Sequence, residues 1–301
     1  MSKPEIAALT SEEVRQFLDD GFLIIRNVLP PSAIQPLIDE LKLKVDVAAK
    51  AAIEDSALDL ADTFDDAPFE SRLGLICKAC SKRNWAWEHY FGETSYNDER
   101  QKPRSNGMFT LRTWPSLLDI VESVIGPEIF AHPQYNIRTK LPNQAETVIP
   151  WHQDLAFLDA EEAGDTLVIN FWIPLVDTRM DNGCMQVMRG THGLSLLPHN
   201  RRLRTPDGKV HVGIEDCDLP DGEIVTAEMN VGDVLMTTEC VLHRSLPNIS
   251  DTVRWSVDTR YSTLGKPTGR PDVPGFVARS LNHPGHVARS ALDWKQQFEN
   301  V

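Results

Sequence analysis

The sequence contains no apolar run that approaches the roughly 18 to 20 residues needed by a membrane-spanning helix. The N-terminal stretch Met1–Glu5 lacks the apolar core of a signal peptide, and Phe298–Val301 at the other end matches no lipidation or address signal. We therefore expect a chain that acts without a membrane, and we predict a cytoplasmic location.

Positive charge is scarce, because 30 Lys and Arg residues stand against 44 Asp and Glu residues. The resulting net charge of −14 argues against nucleic acids and anionic membranes as partners, since both are bound by clustered Lys and Arg. The short cluster Arg201–Arg204 is more typical of a solvated loop or a local anion contact. We expect no nucleic-acid partner.

Cysteine is too sparse to organise the fold, with five residues and therefore an odd count. The pair Cys77 and Cys80 forms a C-x-x-C motif, but no second motif completes a zinc site. The pair also lies in a stretch that indicates a helix. This context favours a structural role over a redox or metal role.

The first 128 residues predict a mostly helical region that flanks and covers a core. A helix over Glu13–Asp20 ends at Gly21, and a short buried strand over Phe22–Ile25 follows. Ser32 begins a second helix with apolar residues at steps of three and four, and Pro115–Ile125 predicts another.

Between Asp55 and Arg104 the sequence keeps no clear period, being acidic early and aromatic later. Two interpretations stay open for this segment. It forms helices and loops that cover a site, or it forms a peripheral helical layer that packs its aromatic side chains.

Residues 129–262 predict a β-core, because short strand-like segments alternate with turns such as Asp181–Gly183. Within it, residues 194–221 form a polar insertion that we expect to be a loop over one barrel mouth. Residues 263–301 predict a C-terminal loop and helix. The fold class is mainly β with flanking helices, in a single domain over residues 1–301. The predicted strands are Ile129–Ala131, Gln134–Lys140, Glu146–Trp151, Leu167–Val176, Cys184–Met188, Glu223–Ala227, Asp233–Thr237, Val241–Ser245 and Arg254–Tyr261.

Three residues of this β-core form a candidate metal site. His152 and Asp154 are two residues apart, so on a strand both side chains leave the same face. Taken alone, such a pair is more often a surface ion pair or a cap. A third ligand, His243, lies 91 residues later (243 − 152) in the second half of the core. Two histidines and one carboxylate leave three coordination positions open, as in non-haem Fe(II) oxygenases.

Arg254 follows His243 by eleven residues (254 − 243) and begins a strand. An arginine that faces into a barrel needs an anionic partner, because an unpaired buried charge is costly. A dicarboxylate that chelates the metal at one end and pairs with Arg254 at the other satisfies this need. Ser245, two residues after His243, is placed to add a hydroxyl to that carboxylate.

Five ordered motifs together resemble the phytanoyl-CoA dioxygenase family of Fe(II)- and 2-oxoglutarate-dependent oxygenases. The resemblance covers most of the chain, is strongest from Gln134 to Tyr261, and is poor from Asp55 to Arg104. The N-terminal Asp20–Ile25 is also typical of the family. The motifs are Trp151–Phe157, Phe171–Pro174, Asp181–Cys184, Arg189–His192 and His243–Arg254.

The resemblance implies a double-stranded β-helix, or jelly roll, and a set of site residues. By position, His152, Asp154 and His243 match the iron ligands, and Arg254 matches the arginine that pairs with the distal carboxylate of 2-oxoglutarate. The residues that match positions lining the co-substrate are Ser245 and Trp172. The candidates for an upstream basic residue on the co-substrate are Arg100, Lys102 and Arg104.

The resemblance also implies the reaction: a small metabolite is oxidised, most simply hydroxylated, while 2-oxoglutarate and O₂ give succinate and CO₂, with ascorbate helpful in vitro. Because Asp154 is present where halogenating relatives carry Gly or Ala, halogenation is not expected. Desaturation, cyclisation and epimerisation stay open, as do a catalytically silent binding protein and a redox-neutral metalloenzyme. We prefer a free metabolite of secondary metabolism to a CoA thioester.

Three polar residues are candidates for contacts with the substrate: Gln153, Arg104 and Asn136. On the strand that begins at Arg254, alternation allows only one of two sets, Trp255 or Asp258 with Arg260, to face inward. A homodimer is compatible with this interpretation, and the oligomeric state is left open.

Overall fold

The computed structural model describes residues 8–92, 102–144, 147–204 and 210–299. Among them, no helix is long and apolar enough to cross a membrane. The helices are α1 (Ser11–Asp20), α2 (Pro31–Glu54), α3 (Phe69–Ala79), α4 (Trp85–Trp87), α5 (Asn106–Arg112), α6 (Pro115–Ile125), α7 (Ala160–Ala163) and α8 (Ala291–Glu299). The strands are β1 (Phe22–Ile25), β2 (Ile129–Lys140), β3 (Ile169–Pro174), β4 (Met185–Met188), β5 (Asn200–Arg204), β6 (Val210–Gly213), β7 (Ile224–Ala227), β8 (Val234–Thr238), β9 (His243–Ser245), β10 (Arg254–Thr263) and β11 (Phe276–Arg279).

Helix α1 shows how local sequence sets the start of the fold. The Thr10 side chain accepts a hydrogen bond from the Glu13 amide, and the Glu13 carboxylate accepts one from the Thr10 amide. The helix ends at Gly21, whose φ of 81° is a left-handed conformation that glycine adopts without a Cβ clash. The chain then turns directly into β1, as the sequence predicts.

Two antiparallel sheets form the β-core. The larger has the strand order β1-β8-β3-β10-β2-β11, and the smaller has the order β7-β4-β9. Their facing sides meet in an apolar cluster, in which Trp172 and Leu235 of the large sheet pack with Met185 and Val187 of the small sheet. The fold therefore combines helices with antiparallel sheets, and the space between the sheets is where side chains from distant segments converge.

A layer that includes α2 and α3 contributes to the main apolar core with the large sheet. Trp255 of β10 is fully buried there, stacked on Phe69 with ring centroids 4.8 Å apart and edge-on to Phe91 at 5.4 Å. The Trp87 indole donates to the Thr139 carbonyl of β2 at 3.0 Å. These contacts favour the packing interpretation of the aromatic segment.

The insertion is more ordered than a simple loop. Strands β5 and β6 pair as a two-stranded antiparallel ribbon, with residues 205–209 lying outside the described part. The Ile214 amide donates to the Trp151 carbonyl at 2.9 Å, so the base of the insertion is tied to the segment that carries the candidate metal ligands. The expectation of a loop alone was wrong, because this polar stretch forms its own backbone pairing.

The predicted strand Glu146–Trp151 is also wrong over the residues that are described. Residues 147–151 form no strand, and His152 makes only an isolated bridge to His243. Pro150 has no amide hydrogen to donate, which limits regular pairing here. Asp154 begins a 3₁₀ turn over Asp154–Phe157, so the H-x-D pair is not held by one continuous strand.

Candidate metal centre and its cavity

His152, Asp154 and His243 converge at one buried point between the sheets. The Asp154 Oδ1 atom lies 3.7 Å from His152 Nε2 and 3.9 Å from His243 Nε2. Metal–ligand bonds of about 2.0–2.2 Å allow two ligand atoms on one ion to lie up to about 4.4 Å apart. Both distances therefore fit a single ion, and the donor set is the one that non-haem Fe(II) uses.

Backbone pairing brings the two histidines together. The His152 amide donates to the His243 carbonyl, and the His243 amide donates to the His152 carbonyl, both at 3.0 Å. The ring centroids are consequently 4.1 Å apart. The 3₁₀ turn then directs Asp154 back toward both rings, and the Leu155 amide anchors the turn on the Glu239 carbonyl at 2.9 Å.

The outer nitrogen of each imidazole fixes its tautomer. His152 Nδ1 donates to the Pro150 carbonyl at 2.8 Å, and His243 Nδ1 donates to the Val241 carbonyl at 3.0 Å. A carbonyl only accepts, so Nδ1 carries the proton and Nε2 presents a lone pair to the centre. Both rings are thereby oriented for metal binding.

Burial and neighbouring charge set the ionisation of the site. Desolvation, and then the nearby His243, lowers the pKa of His152 to about 3, so this imidazole is neutral near pH 7. Burial alone would raise the pKa of Asp154, but the Arg260 guanidinium and the two imidazoles more than offset it and hold that pKa below its usual range. The site thus offers a neutral imidazole at His152 and an ionised carboxylate at Asp154, which are the forms that bind a metal.

A cavity of about 70 Å³ opens beside the three ligands, which is room for several water molecules. Its wall is apolar at Phe171, Trp172, Met185 and Leu235. The polar and charged side chains in its wall, besides the ligands, are Arg138, Asn170, Thr237, Ser245, Arg254, Asp258 and Arg260.

Arg254 forms a cationic region of this cavity. Its guanidinium lies over the Trp172 ring, 5.2 Å from the centroid, and it donates to Ser256 Oγ at 2.5 Å. Lys140 lies opposite Arg254 in the β10–β2 register and donates to Ser245 Oγ at 2.8 Å. Burial, and then the charge of Arg254, lowers the pKa of Lys140 well below its usual value. Arg254 thus brings a positive charge to this part of the cavity wall.

A second charged group lies beside Asp154. Arg260 Nη2 is 2.9 Å from Asp154 Oδ1. The Asp258 carboxylate accepts from Asn136 Nδ2 at 2.6 Å and from Arg138 Nε at 2.7 Å. Sequence reasoning did not assign Arg138 or Lys140 to the site. Their alternation on β2 with Asn136 was the available signal, but it did not show which face of that strand is inward.

The structure places the other predicted contacts away from the cavity wall. Gln153 is buried, and its amide donates to the Cys240 carbonyl at 2.8 Å and accepts from the Leu197 amide at 2.8 Å. It therefore ties the insertion to the metal segment. Asn136 is held by Asp258, one step behind the wall. Neither Lys102 nor Arg104 lines the cavity.

The remaining upstream candidate, Arg100, lies outside the described residues. The Lys102 ammonium lies over the Tyr135 ring, 5.4 Å from the centroid. The basic side chains near the candidate metal centre come from β2 and β10 instead, at Arg138, Lys140 and Arg260.

Comparison with known proteins gives the family. The model of the family described as phytanoyl-CoA dioxygenase matches residues 17–256. The chain belongs to the phytanoyl-CoA dioxygenase family. Its members are Fe(II)- and 2-oxoglutarate-dependent oxygenases, and the buried His-x-Asp…His triad that carries the family's metal is present at His152, Asp154 and His243.

Curated relatives are distant. The human protein named phytanoyl-CoA dioxygenase, peroxisomal, is 22% identical over 262 residues, which cover 85% of this chain and 69% of the human protein. The 1-deoxypentalenic acid 11-beta-hydroxylase of Streptomyces arenae is 31% identical over 159 residues, covering 48% of this chain and 53% of that enzyme. These identities support a shared family and leave the substrate of this chain undetermined.

Solved structures share the fold. The nickel complex of the non-haem monooxygenase ThoJ aligns over 94% of both chains with a TM-score of 0.55 and 18% identity. The non-haem alpha-ketoglutarate-dependent epimerase SnoN from nogalamycin biosynthesis aligns over 86% of this chain and 85% of its own, with a TM-score of 0.53 and 17% identity. At these identities the likeness concerns the fold alone.

Proposed function

We propose that the chain is an oxygenase that uses Fe(II) and 2-oxoglutarate to hydroxylate a free small-molecule metabolite. The observation that carries the proposal is one cavity whose wall holds both the His152, Asp154 and His243 triad and the cationic side chain of Arg254. A chelating dicarboxylate fits this combination, because it can bind the metal at one end and the arginine at the other. We also propose that the two facing sheets form a jelly roll, as in the family.

The three ligands would hold the metal and leave one side of it open toward the cavity. When bound, iron with 2-oxoglutarate and O₂ supplies the oxidant that removes hydrogen from a substrate C–H bond, and succinate and CO₂ are released. The two imidazoles are held by carbonyls behind them, at Pro150 and Val241, so they need little reorganisation to bind an ion.

Arg254 would bind the distal carboxylate of 2-oxoglutarate. A guanidinium matches a carboxylate with two parallel hydrogen bonds, and burial strengthens the pairing. Ser245 would add its hydroxyl, and Lys140 orients that hydroxyl by donating to it at 2.8 Å. Trp172 lies against the guanidinium and excludes water from this end. We assign these four residues to the co-substrate.

The apolar wall at Phe171, Met185 and Leu235 favours an apolar substrate carbon near the metal and keeps bulk water away from it. We prefer a free metabolite to a CoA thioester, because the net charge of −14 provides no general attraction for CoA phosphates. Arg201 and Arg202 on the exposed ribbon are the local exception. Desaturation, cyclisation and epimerisation use the same hydrogen abstraction and remain alternative outcomes of one centre.

The test is a substrate screen by mass spectrometry with Fe(II), 2-oxoglutarate and ascorbate under air. Hydroxylation predicts a gain of one oxygen with equimolar succinate, whereas desaturation or cyclisation predicts a loss of two hydrogens. A chain that binds the metal but releases no succinate with any candidate, and none from 2-oxoglutarate alone, would instead be a silent binding protein.

A further inference from the structure

Arg260 lies in the cavity wall and is 3% exposed. One of its nitrogens contacts Asp154 at 2.9 Å, and Nη1 lies 3.6 Å from Asp258 Oδ2, beyond hydrogen-bond range. In the part of the chain that the structure describes, neither Nε nor Nη1 of Arg260 has a hydrogen-bond partner. A buried guanidinium with two unused donors is expensive unless an acceptor arrives.

The cavity wall carries more positive than negative charge, so it favours an additional anion near these donors. Three arginines, at 138, 254 and 260, stand against two carboxylates, Asp154 and Asp258. Fe(II) would add two positive charges and the 2-oxoglutarate dianion would remove two, so one positive charge remains. Lys140, behind Ser245, adds a further buried cation when protonated.

Glu239, another buried acid in this region, does not offset this positive charge. Glu239 lies outside the cavity wall, and its carboxylate accepts from the Val168 amide at 3.0 Å. Burial raises the pKa of Glu239, which favours its neutral form. The Asp258 carboxylate is already shared by Asn136 and Arg138. Asn170 Oδ1, opposite Arg260 in the β10–β3 register, also has no partner in the described part of the chain and makes no hydrogen bond to Arg260, so we look for the acceptor in a ligand.

Arg254 and Arg260 serve different acceptors. They are six residues apart on β10, which separates their Cα atoms by roughly 20 Å at about 3.3 Å per residue. Arg260 reaches Asp154 at the metal centre, whereas Arg254 lies beside Trp172 and Ser256. Arg254 therefore serves the Trp172 end of the cavity, and Arg260 serves the end at the metal ligands.

We propose that Arg260 binds a second carboxylate in the cavity, next to the metal. This rests on the proposed function, because that function supplies the metal and the first dicarboxylate. Two sources share this chemistry: the carboxylate of 2-oxoglutarate that lies at the metal, and a carboxylate on the substrate. Both accept a bidentate pair of hydrogen bonds from the Nε and Nη1 side of the guanidinium.

The experiment compares Arg260→Gln with the wild-type chain under nitrogen, with saturating Fe(II), by calorimetric titration. The first arm titrates 2-oxoglutarate and 4-oxopentanoate, which keeps the keto group and the distal carboxylate but carries a methyl group where 2-oxoglutarate has its metal-side carboxylate. The second arm titrates benzoate and benzamide into protein already saturated with 2-oxoglutarate, and follows the visible absorption of the iron complex as a second readout. Arg26→Gln, which removes an exposed guanidinium paired with the buried Asp233, is the matched control.

If the metal-side carboxylate of 2-oxoglutarate is the acceptor, Arg260→Gln weakens 2-oxoglutarate binding at least about tenfold and leaves 4-oxopentanoate binding unchanged. If a substrate carboxylate is the acceptor, Arg260→Gln leaves 2-oxoglutarate binding unchanged. The wild type then binds benzoate more tightly than benzamide, and the variant loses that preference. Either result supports the proposal.

Wild-type affinity for every probe in Arg260→Gln, within about twofold, would overturn it. A role confined to positioning Asp154 would weaken Fe(II) binding and would lower the affinities for 2-oxoglutarate and 4-oxopentanoate alike, and that result would overturn the proposal as well. Arg260→Lys keeps the positive charge but cannot form the two parallel hydrogen bonds of a guanidinium. It is therefore compared with the wild type in the same titrations if Arg260→Gln does not fold. Failure of the wild type itself to bind 2-oxoglutarate would instead remove the proposed function and this inference together.

Discussion

Strand β10 has two faces, and they differ in what they contribute. Arg254, Asp258 and Arg260 face the cavity, whereas Trp255 and Val257 belong to the main apolar core shared with the helical layer. The two sets alternate along the strand, as a pleated backbone requires. One face therefore carries chemistry and the other carries stability, and changes on the two faces should have separable effects.

The largest expected effect is a loss of turnover when Asp154, the metal ligand that contacts Arg260 of β10, is removed. Asp154→Ala removes the anionic ligand and should reduce succinate formation to the background of the assay. The circular dichroism spectrum should still indicate a folded chain, although the thermal midpoint should fall because the buried Arg260 loses its ion pair with Asp154. Substantial substrate oxidation by the variant would show that the metal assignment is wrong.

A change on the face of β10 that packs on the helices should lower stability and leave 2-oxoglutarate binding intact. Trp255→Ala leaves a large cavity between β10, Phe69 and Phe91 and should lower the free energy of unfolding by about 3–5 kcal/mol. Denaturant unfolding measures this loss. The fraction that stays folded should bind 2-oxoglutarate with wild-type affinity, and a tenfold weaker affinity would break the separation of the two faces.

The first cavity-facing residue of the strand should affect the co-substrate. Arg254→Gln removes the charge that pairs with the distal carboxylate and should raise the Kd of 2-oxoglutarate about tenfold to a hundredfold. Isothermal titration under nitrogen measures it, with Arg26→Gln as the control. An unchanged Kd would show that the carboxylate binds elsewhere.

A smaller effect is expected on the pH dependence of stability, from His132, a buried histidine in β2 of the large sheet. Burial, opposed in part by the hydrogen bond with the Thr268 carbonyl, lowers the pKa of His132 to about 3. The folded state keeps this ring neutral while the unfolded state takes up a proton near pH 6.5. Stability should therefore fall as the pH drops from about 6.5 toward 3.

His132→Gln should flatten that slope, which denaturant titrations at several pH values would measure. His283→Gln, at an exposed histidine, is the control and should keep the wild-type slope. If both variants behave alike, other groups dominate the acid response of the fold.

The sequence predicted the metal triad and Arg254 because each belongs to an ordered motif with a fixed chemistry. It left Asp258 and Arg260 undecided, since alternation defines two faces but not which one is inward. That face is set by which side of the large sheet packs on the small sheet. Such sheets are assembled from distant residues, as Phe22 opposite Thr237 in the β1–β8 pairing shows. No local pattern encodes that contact.

Local patterns also failed where the backbone leaves a regular path. The segment before His152 was predicted as a strand from its apolar residues, but Pro150 and the 3₁₀ turn at Asp154 leave one bridge. Strand β11 was not predicted, because its four residues are a weak signal and their pairing with β2 shifts register between Val277 and Arg279. Helices α1, α6 and α8 were predicted well, since caps and periodic apolar residues are local features.

The central claim is that the triad and Arg254 together bind 2-oxoglutarate through a metal. It is tested most directly by titrating 2-oxoglutarate under nitrogen into the wild-type chain and into Asp154→Ala, each with and without Fe(II). We predict saturable one-to-one binding to the wild type that depends on Fe(II) and is strongly weakened in the variant. No binding by the wild type, or equal binding by both chains without metal, would contradict the claim.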